Sequence, residues 1–170
     1  MIFADMTAAE VAAAFDLAPH PEGGFFRETY RSASSVMTAR GPRAASTAIL
    51  FLLTVARPSR FHRLASDELW LYHGGAVIEL LTLLPDGNAG RTLLAGAGQS
   101  RQGGSITTPQ AVVAGGCWQA ARVVSGDGVD WGLASCVVSP GFIYDDFELA
   151  ERDQLLAAYP EQAEVIAALT

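Results

Sequence analysis

Lysine is absent from the chain, and charged residues make up only 17% of its 170 residues. Without a lysine amine, Schiff-base catalysis on that side chain and a Walker-type phosphate site are both excluded. The charged fraction also lies well below the average of about 25%. We therefore expect a second subunit to cover part of the apolar surface, giving a homodimer.

Cysteine and long apolar runs are also scarce. The two cysteines, Cys117 and Cys136, are too few for a disulfide framework. The longest apolar run covers residues 48–53, far short of the ~18 residues that a membrane span needs. The first residues carry no basic, apolar leader. These absences predict a soluble cytoplasmic protein with free thiols and no membrane partner.

Negative charge and apolar residues are what the sequence has in excess. Eleven basic against 18 acidic residues give a net charge of −7, which predicts that nucleic acid is not a partner. Apolar residues make up 50% of the chain, which excludes a disordered protein. The length is that of one domain, and we expect residues 1–170 to form a single unit.

Short segments of alternating hydrophobicity dominate the chain between its ends. Beyond an alternating segment at 25–30, they predict strands at 47–54, 60–64, 68–73, 77–84, 91–95, 111–114, 117–124 and 131–138. Turn residues separate them at 85–88 and 125–128 and in the glycine-rich stretch 96–104. Helices are predicted at 8–15, after a Thr7/Glu10 capping box, and at 147–158 and 161–169. The pattern predicts an all-β sandwich or barrel with short terminal helices.

Two neighbouring predicted strands carry the densest set of chemically capable residues. His62 shares a strand face with Leu64, and Glu68 opens the next strand with Trp70 and Tyr72 on its own face. On adjacent antiparallel strands aimed into a barrel, the His62 imidazole and the Glu68 carboxylate can meet at hydrogen-bonding or metal-ligand distance. The alternative is a core histidine and an unrelated surface carboxylate.

Four motifs, in order, resemble those of the cupin superfamily. They read HPEGGFFRETYRS, FHRLASDELWLYHGG, VVAGGCWQAAR and SPGFIYDDFEL. The second is similar to the first cupin motif, a His-x-His pair followed by a Glu and then a Gly. More closely, residues 17–169 resemble an uncharacterised cupin family labelled "predicted sugar epimerase". The resemblance implies a double-stranded β-helix, that is, a jelly-roll barrel, and it too favours a dimer.

Departures from the cupin pattern bear on a metal. The resemblance implies a site of three His and one Glu, but Leu64 replaces one His and Gln119 another. His62, Glu68 and Gln119 remain, fewer strong ligands than tight divalent sites use. We expect no cofactor and a metal-free pocket; a weakly bound divalent metal on those three residues stays open.

A metal-free pocket favours acid–base chemistry. A carboxylate beside His62 fixes its tautomer and stabilises its charged form, so His62 is predicted to be the base, with Glu68 as its partner and Tyr72 as the candidate acid. Similar metal-independent epimerases of the rhamnose pathway imply an isomerase or epimerase of a sugar or sugar-nucleotide-like molecule. A non-catalytic ligand-binding module and a metal-dependent cupin enzyme remain alternatives.

Further residues are predicted to bind the substrate: Glu22, Arg27, Trp70 and Gln119. Arg27 would hold an anionic group such as a phosphate, unless it is a surface residue paired with a neighbouring Glu. Trp70 would offer a wall on which a ring stacks. His20 and His73 are interpreted as structural, the latter because strand alternation turns it away from Glu68.

Overall fold

Two six-stranded sheets face each other in the computed structural model, which describes residues 5–96, 107–124 and 128–170. The strands are β1 (Ala18–Pro19), β2 (Phe25–Arg31), β3 (Ser35–Thr38), β4 (Gly41–Ala44), β5 (Thr47–Thr54), β6 (Ser59–Leu64), β7 (Asp67–Gly75), β8 (Ile78–Leu83), β9 (Ala89–Leu94), β10 (Thr107–Thr108), β11 (Gln110–Val113), β12 (Trp118–Val123), β13 (Trp131–Ser139) and β14 (Phe147–Leu149). The first sheet has the order β1-β2-β5-β13-β7-β11 and the second β10-β9-β8-β12-β6-β14, while β3 and β4 form a separate hairpin.

Strand alternation sends large apolar side chains into the space between the sheets. Phe51, Leu53, Trp70 and Ile78 are almost fully buried there and belong to one cluster. Burying one such side chain contributes roughly 1.5–3 kcal/mol. The cluster fixes the distance between the sheets and leaves room for a cavity at one end of the barrel.

Three short helices cover the outer faces of the sheets. Helix α1 (Ala8–Ala14) packs Val11 on the first sheet, and α2 (Arg152–Ala158) and α3 (Ala163–Ala168) pack apolar residues on the second. The predicted capping box is present: the Thr7 hydroxyl accepts from the Glu10 N–H, and the Glu10 carboxylate accepts from the Thr7 N–H at 2.8 Å. None of the helices in the described ranges is long and apolar enough to cross a membrane.

The predicted all-β jelly roll with short terminal helices is confirmed, with three differences in detail. The helix predicted at 147–158 begins only at Arg152, because Phe147–Leu149 instead pairs with the edge of β6. The β3–β4 hairpin and the two-residue strands β1 and β10 were not predicted. The strands of His62 and Glu68 are not adjacent, because the chain crosses from the second sheet to the first between β6 and β7. Residues 97–104 of the glycine-rich stretch and 125–127 of a predicted turn lie outside the described residues.

The outer face of the first sheet leads us to expect a homodimer. Val112, Leu69 and Val137 lie side by side in one row across β11, β7 and β13, and Leu71 lies in the next row. Val112 is 59% exposed. Light scattering at micromolar concentration should therefore return twice the chain mass of 17.9 kDa, and Val112→Glu should lower it. A mass of one chain at this concentration would refute the expectation.

Candidate active site

A cavity of about 390 Å³ opens at one end of the barrel, against the inner face of the first sheet. Its walls are mainly apolar, and the polar side chains at its inner end, which we call the floor, are His20, Glu22, Glu68 and Cys136. The lining residues are His20, Glu22, Phe26, Glu28, Arg31, Thr47, Ile49, Phe51, Leu64, Glu68, Cys136, Val138, Phe142, Ile143 and Tyr144. A volume of this size suits a small organic molecule.

The loop between β1 and β2 turns Glu22 into the barrel. Gly23 has φ +121°, and a Cβ there would lie only 1.9 Å from the Pro58 carbonyl oxygen, so only glycine fits. The backbone N–H of Arg60 donates to the Glu22 carbonyl at 2.9 Å, and its guanidinium donates to the Pro21 carbonyl at 2.7 Å. The loop is therefore fastened to β6, with the Glu22 carboxyl pointing inward and 6% of the residue exposed.

The Glu22 carboxyl lies between two histidines and contacts both. Its Oε2 lies 3.4 Å from His62 Nε2 and 3.4 Å from His20 Nδ1, and its Oε1 accepts from the Ser59 hydroxyl at 2.9 Å. His62 Nδ1 lies 2.8 Å from the Arg60 carbonyl, which can only accept, so the ring proton sits on Nδ1 and Nε2 carries the lone pair. His20 Nδ1 accepts from the Glu22 N–H, so a neutral His20 carries its proton on Nε2.

A second carboxyl, Glu68 on β7 of the first sheet, reaches the floor and is held by a side chain of the second sheet. Gln119 lies directly beside His62 across β12 and β6, and its side-chain N–H donates to Glu68 Oε2. The Trp70 indole N–H donates to Gln119 Oε1 at 3.0 Å, which fixes which end of the amide faces Glu68. Trp70 and Gln119 thus position Glu68.

Burial shifts the pKa of each carboxyl and each histidine in this network. It raises the pKa of Glu22 from 4.5 to about 8, against the opposing effects of Ser59 and Arg60. It also raises the pKa of Glu68 to about 7, although the nearby His62 lowers it. Burial lowers the pKa of His62, and it lowers the pKa of His20 to about 4. Near neutral pH the histidines are therefore neutral, and protons reside on the carboxyls.

The structure brings some of the predicted site residues together and separates others. Glu22, His62, Glu68 and Gln119 form one buried network. Trp70 belongs to it only through its N–H, because its ring is 1% exposed inside the apolar cluster and does not line the cavity.

Two predicted residues lie elsewhere. The Tyr72 hydroxyl donates to the Gly75 carbonyl, and Tyr72 is not among the cavity residues. Arg27 is exposed on the outer face of β2. Arg31 lines the cavity instead, because a register shift between Glu28 and Tyr30 reverses the alternation of the strand.

Sequence reasoning missed several residues of the cavity. His20, interpreted as structural, contacts Glu22 on the floor. Cys136 also lines the cavity, and its inward position follows from its alternation with Val138 on β13. The wall formed by Phe142, Ile143 and Tyr144 comes from the SPGFIYDDFEL motif, whose place beside the cavity no local pattern predicts.

The residues present do not fit a cupin metal. Both nitrogens of His62 face protein atoms, and the only oxygen of the Gln119 side chain already accepts from Trp70. Leu64 stands at a third ligand position. Across the described ranges, no group of three or more His, Cys, Asp or Glu is arranged to hold a metal ion.

We therefore expect the protein to retain no stoichiometric transition metal after dialysis against a chelator. The reason is that a metal would have to break the bonds of both His62 and Gln119 and would gain too few ligands in return. Elemental analysis of the dialysed protein checks this. About one metal ion per chain would contradict it.

Comparison with known proteins gives full-length relatives, and two solved structures illustrate them. A hypothetical protein from Leishmania major is 35% identical, with a TM-score of 0.87, and the match covers 97% of this chain and 99% of that one. A structural-genomics target from Shewanella oneidensis is 33% identical, with a TM-score of 0.84 and coverage of 97% and 98%. No protein of curated function matches the sequence.

More distant structures share the fold alone. Oxalate decarboxylase from Lactobacillus farciminis, in its formate complex, is 12% identical with a TM-score of 0.54, and the match covers 91% of this chain and 41% of that one. The profile of the family described as "Cupin superfamily (DUF985)" matches residues 9–150. On this match and the two full-length relatives, the chain belongs to the DUF985 family of the cupin superfamily.

Proposed function

We propose that this protein binds a small molecule in the cavity and transfers a proton at a carbon next to a carbonyl, as an isomerase or epimerase. One observation carries the proposal. Two buried carboxyls with raised pKa, Glu22 from a loop and Glu68 from β7, reach the same cavity floor, and His62 stands behind Glu22. Buried acid–base pairs of this kind are more frequent in active sites than elsewhere.

The two environments suggest which carboxyl is acid and which is base. The pKa of Glu22 is raised to about 8 and that of Glu68 to about 7. Near neutral pH, Glu22 therefore holds a proton to give, while Glu68 is the more readily ionised of the two. His62 is a positioning residue in this proposal, because it meets Glu22 and does not line the cavity.

The proposed reaction needs no group beyond these side chains. The Glu68 carboxylate removes a proton from the carbon, and the C–H electron pair moves into the carbonyl to form an enolate. The N–H of neutral His20 is the donor available to the enolate oxygen. Glu22 then gives its proton to the same carbon for epimerisation. For isomerisation of a hydroxycarbonyl compound, the proton of the neighbouring hydroxyl passes to the enolate oxygen, and Glu22 gives its proton to the former carbonyl carbon. The proton left on Glu68 returns to Glu22 through solvent.

Deuterium incorporation tests the proposal even while the substrate is unidentified. The protein is incubated in D₂O with a panel of neutral aldehydes, ketones and hydroxyketones, and products are examined by mass spectrometry. We expect at least one compound to gain deuterium only when protein is present. Glu148→Gln is the control, because Glu148 is an exposed carboxylate paired with Arg63. Compounds that bind in a thermal-shift assay but never exchange would favour a non-catalytic binding protein.

A further inference from the structure

We propose that the cavity takes an uncharged molecule with an apolar, preferably aromatic body and a carbonyl or hydroxyl head, and that it rejects sugar phosphates and sugar nucleotides. The position of the head on the floor rests on the proposed function. The selection against charge and the nature of the body rest on the walls, which are independent of any chemistry at the floor.

The walls offer a ligand few free polar groups, because the Thr47 hydroxyl already accepts from the Phe142 N–H at 3.0 Å and the Tyr144 side chain lies at the exposed rim. Apolar side chains surround the cavity from three strands and from the segment after β13: Phe26, Ile49, Phe51, Val138, Phe142 and Ile143. A sugar carries a hydroxyl on nearly every carbon and would leave these hydroxyls without partners, which is costly in a buried site. An aromatic or branched apolar body has no hydroxyls to leave without partners, and its burial is favourable.

The one cation among the described lining residues is already engaged. Arg31 donates to both oxygens of Glu28, at 2.9 and 2.7 Å, and it also lies 3.4 Å from the Phe142 carbonyl oxygen. A phosphate would have to share this guanidinium with Glu28, which neutralises it. The Glu28 carboxylate would also lie beside the anion as a repelling charge.

The floor repels anions as well. The groups that face a ligand head there are Glu22, Glu68, His20 and the Cys136 thiol, with His62 behind Glu22. None of these is a permanent cation, and an anion would meet two buried carboxyls. A carbonyl or hydroxyl head instead accepts a hydrogen bond from a protonated carboxyl or from His20. A hydroxyl head can also donate a hydrogen bond.

A cation is not the better ligand either. At pH 6.5, where both carboxyls are mainly protonated, an ammonium head would require one of them to lose its proton inside the barrel. Each carboxyl also has a protein partner already: Ser59 bonds Glu22 and Gln119 bonds Glu68. An uncharged head leaves both bonds and the proton count unchanged. The hydrogen bonds of the floor thus favour an uncharged ligand head beside protonated, uncharged carboxyls.

Three probes with one phenylethyl body test this inference by titration calorimetry at pH 6.5. They are 4-phenylbutan-2-one (neutral), 3-phenylpropionate (anion) and 3-phenylpropylamine (cation), with uridine diphosphate glucose as the sugar-nucleotide probe. We expect the ketone to bind at least about tenfold more tightly than either ion, and the sugar nucleotide not to bind. Tenfold corresponds to about 1.4 kcal/mol.

The variant Glu28→Gln sharpens the test, with Glu148→Gln as control. Removal of the Glu28 charge frees Arg31, so the affinity for 3-phenylpropionate should rise several-fold relative to the affinity for 4-phenylbutan-2-one. The control should leave the ratio of these two affinities unchanged. Equal or tighter binding of an ion or of the sugar nucleotide to the unaltered protein overturns the inference but leaves the proposed function standing. Binding of none of the probes also overturns it, and the deuterium panel then judges the proposed function alone.

Discussion

Glu68→Gln should slow deuterium exchange into a substrate by about 10²–10⁴-fold, the usual contribution of a positioned proton-transfer group. Glutamine keeps the shape of Glu68 and can still meet Gln119, but it cannot accept a proton. Glu22→Gln should cause a loss of similar size because it removes the proposed acid. The exchange rate, measured by mass spectrometry on the compound found in the panel, checks both.

His62→Asn separates a positioning role from a direct one. Because His62 meets Glu22 and does not line the cavity, we expect a smaller loss and a changed pH profile. The profile of the unaltered protein should be bell-shaped, since Glu68 must be ionised and Glu22 protonated, with its maximum between about 7 and about 8. Glu148→Gln should leave rate and profile unchanged. A Glu68→Gln protein that is folded and exchanges at the original rate would remove Glu68 from the mechanism.

The second large effect is a loss of stability as the pH rises above 6.5. The folded-state pKa values of Glu22 and Glu68 are raised to about 8 and about 7, whereas the unfolded chain gives up these protons near 4.5. The folded state therefore binds more protons, and its free energy of unfolding falls as the pH approaches these values. Between pH 6.5 and 8.5 the net fall should be about 2 kcal/mol. In thermal melts this is a drop in Tm of roughly 4–8 °C.

The histidines oppose this fall in the lower part of the window. The pKa values of His20 and His62 are lowered from 6.5 in the folded state, so their contribution is lost as the pH falls and becomes complete only about one unit above 6.5. Between pH 6.5 and 8.5 they add about 0.8 kcal/mol, and the downward slope belongs to the carboxyls. In Glu22→Gln we expect the fall nearly to vanish, because the loss that remains from Glu68 is about as large as the gain from the histidines.

Glu79→Gln provides the matched control for the pH experiment. Glu79 is also a buried carboxyl, and burial alone would raise its pKa, but Arg91 and Arg122 bond it and lower the pKa overall. Its contribution is thus present at neutral pH and is lost only in acid. Glu79→Gln should lower stability yet keep the slope between pH 6.5 and 8.5. A Glu22→Gln protein with an unchanged slope would show that Glu22 is ionised in the folded state.

The sequence allowed the barrel to be predicted because its evidence is local. Alternation with period two marks the strands, the Thr7/Glu10 pair marks a helix start, and four motifs in order resemble cupins. The helix predicted over 147–158 was wrong at its start because the open edge of β6 recruits Phe147–Leu149 as a strand. Such pairing depends on residues about 85 positions apart, and it outweighs local helix propensity.

The site was predicted only in part, for related reasons. His62, Glu68, Gln119 and Glu22 were named from motif positions, and the structure joins them in one network. The choice of Arg27 assumed unbroken alternation along β2, and a bulge near Thr29 turns Arg31 inward instead. The apolar wall at Phe142 and the exclusion of Tyr72 depend on how distant segments meet, which alternation does not encode.

The central claim is that the floor of the cavity holds protons on buried carboxyls at neutral pH. Carbon-13 NMR of the glutamate side-chain carboxyl carbons, recorded from pH 4 to 9.5, measures this directly, and Glu22→Gln and Glu68→Gln assign the signals. We predict two carboxyl signals that shift together near pH 7–8, and one of them disappears in each variant. If all glutamate carboxyl signals complete their titration below about pH 5.5, near their ordinary range, the account is contradicted.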